Sequence, residues 1–97
     1  MLIRVLIGNA SADGRSQIQQ ERDRQVAAGQ DHPIINAGAY AEDGLNEILE
    51  VRVNSGQREI LVDDCTRAQI HSVIAWQASV EEDPRFEDVY VQLARRN

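Results

Sequence analysis

The sequence predicts an α+β fold: a two-layer sandwich with a mainly antiparallel sheet of three to four strands, two C-terminal helices on one face and a weakly amphipathic first helix, in the order β-α-(β)-β-β-α-α. Three observations carry that expectation. Leu49 to Val62, LEVRVNSGQREILV, holds two runs rich in Val, Ile and Leu that Asn54, Ser55, Gly56 and Gln57 interrupt, as in a β-hairpin. Thr66 to Val80 and Asp83 to Arg96 each carry apolar residues at helical spacing. Leu2 to Gly8 alternates, with Ile3, Val5 and Ile7 on one face and Leu2, Arg4 and Leu6 on the other. Both of its faces are largely apolar, the composition of an inner strand.

Asp13 to Ala28 is built of helix-favouring Gln, Glu, Arg and Ala, yet Ile18 is its one apolar residue between Asp13 and Gln25. Ile18 and Val26 share a face too small to dock a helix firmly. This stretch is expected to be an exposed helix, a helix completed by another subunit, or a mobile arm, with Gly29 as its C-terminal cap. His32-Pro33 imposes extended backbone. Ile34-Ile35 reads as a short strand and Asn36 to Gly44 as loop. Leu45, Ile48 and Leu49 have helical spacing, but the alternation that follows favours strand from about Glu47.

A hairpin loop centred on Ser55-Gly56 sets Leu49 against Val62 and Val51 against Ile60, making one face apolar. Arg52 then opposes Glu59 on the other face. Thr66 and Gln69 fit a capping box opening the next helix, with Ile70, Val73 and Ile74 as its core stripe and Trp76 and Val80 as flanks. That apolar arc spans roughly 200°, wider than the ~100° needed against one sheet, so a second contact is expected. Gln77 lies near the middle of the arc, where a buried amide must be hydrogen-bonded. Asp83-Pro84 starts the last helix as N-cap and first residue, and Phe86, Val89, Tyr90 and Leu93 form its stripe, with Val91 outward.

The chain has 97 residues, consistent with one domain over 1–97, and a core drawn from 24 Val, Ile and Leu residues. No apolar run reaches the ~18 residues of a membrane span. The opening MLIRVLIGNA lacks the length and basic flank of a signal segment and reads as a strand. A single cysteine, Cys65, excludes an internal disulfide framework and fits a reducing cytoplasm. The net charge is −6 and all ten basic residues are Arg, which excludes lysine chemistry and disfavours a nucleic-acid duplex as partner. Interspersed Arg also argues against nucleic-acid mimicry by the acidic surface.

Candidate chemistry is thin, and no cofactor is implied. Gly8 to Ser16 has the outline of a phosphate-binding loop, but it has one residue too many, Arg15 in place of the lysine, and Asp13 where phosphate would sit. Asp63 and Asp64, with His71 seven residues beyond, could hold a divalent cation and serve a metal-dependent hydrolase. The simpler reading is that carboxylates beside a helix N-terminus are favoured by its dipole and cap its free N–H groups, since two acids and one His are a thin ligand set. Cys65 and His71 point about 120° apart on a helix and do not form a thiol–imidazole pair. Ile34 to Tyr40, IINAGAY, resembles the IINPGAY segment of type II dehydroquinases over seven residues, with Ala37 at the family's proline. The chain is too short for that family's doubly wound sheet and a hairpin is expected after the segment, so no catalytic role passes to Asn36 or Tyr40.

The functional expectation is a non-enzymatic homo-oligomeric interaction module, most simply a dimer, with Trp76, Gln77, Val80, Tyr90, Val91 and Tyr40 as interface or pocket candidates. The alternatives are a small-ligand binder with a pocket between sheet and helices, and the hydrolase built on Asp63 and Asp64.

Overall fold

A computed structural model describes residues 1–7, 17–41 and 43–96 of the chain. Four strands, β1 (Leu2–Leu6), β2 (Ile35–Asn36), β3 (Glu59–Cys65) and β4 (Tyr90–Arg95), form one sheet in the order β1-β4-β3-β2. Every pairing is parallel. The helices α1 (Gln17–Ala27), α2 (Gly44–Asn54) and α3 (Arg67–Ser79) connect successive strands. The expected antiparallel two-layer sandwich is therefore corrected to a parallel sheet with helices on both faces.

A helix stands where the hairpin's first strand is expected. Residues 49–54 belong to α2, whose Leu45, Leu49 and Val53 stack at i, i+4 and i+8 and are all buried. The supposed turn is the cap of that helix. Gly56 has φ +102°, its N–H bonds to the Val53 carbonyl, and the Gln57 N–H reaches back to the Arg52 carbonyl. That pair of bonds is the Schellman arrangement, which needs the same glycine a hairpin turn would use. Gly29, at φ +86°, closes α1 in the same way, with Gln30 N–H bonded to the Gln25 carbonyl.

A short turn and a strand stand where the last helix is expected. Asp83 does cap Pro84, accepting from the Arg85 N–H, but it opens only a 3-10 turn over Pro84–Phe86, and the chain then extends into β4. Val89, Tyr90 and Val91 favour extended backbone, and the buried run Val91-Gln92-Leu93 contacts both layers, as an inner parallel strand does.

The faces divide cleanly. Ile60, Val62, Val91 and Leu93 join α2 and α3 in the main core, with Phe86 and Cys65 fully enclosed. Leu61 and Leu6 face the other way and meet Ile18 of α1. Burial of one Ile side chain contributes only about 1.5–3 kcal/mol, so polar contacts supply the rest of α1's attachment. Arg24 and Gln25 both bind the Glu59 carboxylate, and Gln92 donates to Glu21. Val26 is exposed, which removes it from the docking face.

Candidate functional site

In a parallel sheet all strands end on the same side, and β2, β3 and β4 bring polar residues together there. A bulge makes this possible. Val62 pairs with Leu93 but Cys65 with Arg95, so β3 carries one residue more than β4 over that interval. Asp64 takes up the excess in the left-handed region, at φ 59°. Its carboxylate receives two bonds from Arg96, Nε at 2.8 Å and Nη2 at 3.1 Å. The Arg96 guanidinium holds the Asp64 carboxyl below its usual range, and the arginine is pushed up in return.

Gly38 packs directly against this pair, since a Cβ there would lie 2.8 Å from Asp64 Oδ2. The Asn36 side chain accepts from the Gly38 N–H, and Gln69 donates to the Ala37 and Tyr40 carbonyls. Gln69 also completes the expected capping box with Thr66. Tyr40, Thr66, Gln69 and Arg96 line a cavity of about 250 Å³.

The IINAGAY segment forms β2 and the turn after it, and a helix follows it, not the expected hairpin. Asp63 is exposed, with its carboxylate accepting from the Asp64 N–H, while His71 is exposed on α3. Among the described residues, no three His, Cys, Asp or Glu side chains are grouped so as to hold a metal ion. Cys65 is buried and its thiol is pushed up to about 12, by burial first and then by the Asp63 and Asp64 charges. Its side chain is fully enclosed, whereas His71 is exposed. The phosphate-loop outline at 8–16 lies outside the described residues.

The other candidates occupy the opposite end. Trp76 is half-buried, its ring edge-on to Phe86 at 5.3 Å. Gln77 Nε2 donates to the Met1 carbonyl at 2.7 Å, which answers the requirement for a partner. Val80 flanks the core, and Tyr90 begins β4. Val91 is fully buried in β4, so the outward position expected for it is corrected. Tyr40 and Trp76 thus sit at opposite ends of the sheet and cannot line one pocket with Gln77 and Tyr90.

The most exposed apolar residues mark a different surface. Among the described residues β1 pairs with β4 alone. Leu2 is 70% exposed and Ile7 71%. Beside the start of β1, Met1 and the α3 residues Ile74, Gln77 and Ala78 line a groove of about 500 Å³, and Ile74, expected in the core stripe, is exposed. The apolar character of both β1 faces was the available sign, but it suggested an inner strand.

Among the described residues the fold is a four-stranded parallel sheet with exposed apolar side chains at both ends of its first strand and a polar cluster at its carboxyl end. Comparison with protein-family models, with curated proteins and with solved structures finds no match to this chain. None of the described helices is long and apolar enough to cross a membrane.

Proposed function

We propose that this protein is a non-enzymatic assembly module that functions as a homo-oligomer, with β1 and the neighbouring flank of α3 as its contact surface. One observation carries the reading: β1 has the composition of an interior strand but lies at the sheet edge, with Leu2 and Ile7 largely exposed. Natural edge strands are usually blunted by Lys, Pro or inward charge. Residues 2–7 contain one charged residue, Arg4, and no proline. Trp76 no longer anchors the contact, since Phe86 of its own chain takes up one side of the indole. Light scattering tests the reading: a dimer or larger species is expected, dispersed by Ile74→Arg. A strict monomer at tens of micromolar would refute it.

A second reading, a small polar ligand held at the carboxyl end of the sheet, is favoured by the cavity beside Tyr40, Thr66, Gln69 and Arg96. Open parallel sheets take ligands at that end. The cavity falls short of the ~300–1,000 Å³ usual for ligand pockets, so this reading ranks second. Thermal melts against a metabolite panel test it; no shift across the panel would count against it.

A further inference from the structure

We propose that α1 is an acid-released strap: it lifts from the sheet as a unit once Glu21 and Glu59 lose their charge, while α2 and α3 stay packed on the opposite face. The proposal is independent of the assembly reading and concerns the other layer of the molecule.

The apolar attachment of α1 is slight. Ile18 is buried with Leu6 and Leu61, whereas Val26, the other large apolar residue of the helix, is exposed. Composition extends this to the residues before it, since positions 8–16 hold nothing apolar larger than alanine. By contrast, α2 and α3 contribute Leu45, Leu49, Val53, Ile70 and Val73 to the main core.

The polar attachment converges on two carboxylates. Arg24 Nη2 and Gln25 Nε2 donate to Glu59 of β3, at 3.0 and 3.3 Å. On β4, Gln92 Nε2 donates to Glu21 at 3.2 Å. Glu21 also accepts from Arg24 Nε at 3.0 Å and lies 3.9 Å from Arg4 of β1. Arg24 is half exposed, and exposed ion pairs contribute little. The weight falls on Gln25 and Gln92, each 1% exposed, whose bonds to a charged carboxylate are roughly twice as strong as bonds to a neutral one.

Among the described residues, Arg24 and Arg4 are the charged groups facing Glu21, and Arg24 is the one facing Glu59, which pairs in register with Tyr90. Burial alone would raise the Glu21 pKa, but the bonds from Gln92 and Arg24 and the two arginine charges together lower it. Its contribution is therefore fully present above the unfolded value of about 4.3 and is lost as the pH falls through the lower folded value. Gln92 Oε1 adds to the bias. It is buried with no protein partner among the described residues, and water reaches it once α1 lifts.

Hydrogen exchange at pH 7 on the double variant Glu21→Gln, Glu59→Gln tests the strap, since it removes both charges at nearly constant shape. Emission from Trp76, the single tryptophan, edge-on to Phe86, reports the opposite layer. The α1 amides are expected to exchange at least about tenfold faster than in the parent, with the α3 amides and Trp76 emission unchanged. The parent is expected to show the same pattern below about pH 4, after correction for the intrinsic pH dependence of exchange. Asp31→Asn removes the exposed Arg22–Asp31 pair, which does not reach the sheet, and is expected to leave α1 protected. Loss of protection in α1 and α3 together, undiminished α1 protection in the double variant, or release of α1 by Asp31→Asn would each overturn the proposal.

Discussion

Asp64 combines a left-handed backbone, a bulge and an ion pair in one residue. An L-residue in that conformation costs about 1–2 kcal/mol, less for Asp and Asn, so Asp64→Asn isolates the charge from the backbone. Arg96 lowers the folded-state pKa of Asp64. The stability gained from the pair is therefore fully present above the unfolded pKa of about 3.9 and is lost as the pH falls through the lower folded value. Denaturant titrations are expected to show Asp64→Asn less stable than the parent at pH 7, with the gap closing below about pH 4. A gap unchanged at acid pH would show that the pair contributes nothing. Two residue positions were legible in advance: Thr66 and Gln69 form their capping box because both partners lie within one turn. The Asp64–Arg96 pair spans 32 positions, and nothing local marks it. Cys65, fully enclosed and with its thiol pushed up to about 12, should resist a thiol reagent at pH 8 until the protein is unfolded. Labelling at the rate of a free thiol would contradict its burial.

At the scale of elements, α2 and a hairpin make opposite forecasts for Val51. On the exposed face of a helix, β-branched Val is disfavoured, so Val51→Ala should stabilise by up to about 0.7 kcal/mol. In a hairpin the same change would remove a packed cross-strand side chain and destabilise. Gly56→Ala should cost about 1 kcal/mol, because the position requires positive φ while open space surrounds it. Chemical denaturation resolves both. The ambiguity of this stretch has a physical cause. A run such as LEVRV satisfies the two-residue period at Leu49, Val51 and Val53 and the helical period at Leu45, Leu49 and Val53. Over Phe86 to Leu93 the ambiguity is the same, and there the strand prevails because Val91 and Leu93 fill the space over the sheet that α2 and α3 cover. The first helix was ambiguous for another reason. Its docking relies on Glu21, Arg24 and Gln25 meeting Glu59 and Gln92, residues 34 or more positions away.

For the whole molecule, the parallel topology determines which surfaces remain for partners. Crossing α1 over one face and α2 and α3 over the other buries β3 and β4 on both sides and leaves β1 at the margin. If assembly covers that margin, the melting temperature should rise with protein concentration, since a partner that binds only the folded state stabilises it by mass action. The Ile7→Arg protein should melt at one temperature throughout. Scanning calorimetry across a hundredfold concentration range distinguishes the two, and a parent melt independent of concentration would count against assembly.

What the residues alone determined is local: the first strand and its two apolar faces, the capping of α3, the glycine closing α1, and the absence of lysine chemistry. Each follows from contacts within a few positions or from composition. Strand direction, the edge position of β1, the burial of Val91 and the meeting of Asp64 with Arg96 depend on which distant segments share the core. That choice lies with the tertiary structure, because the same short apolar runs satisfy helix and strand equally well until the packing of the core selects between them.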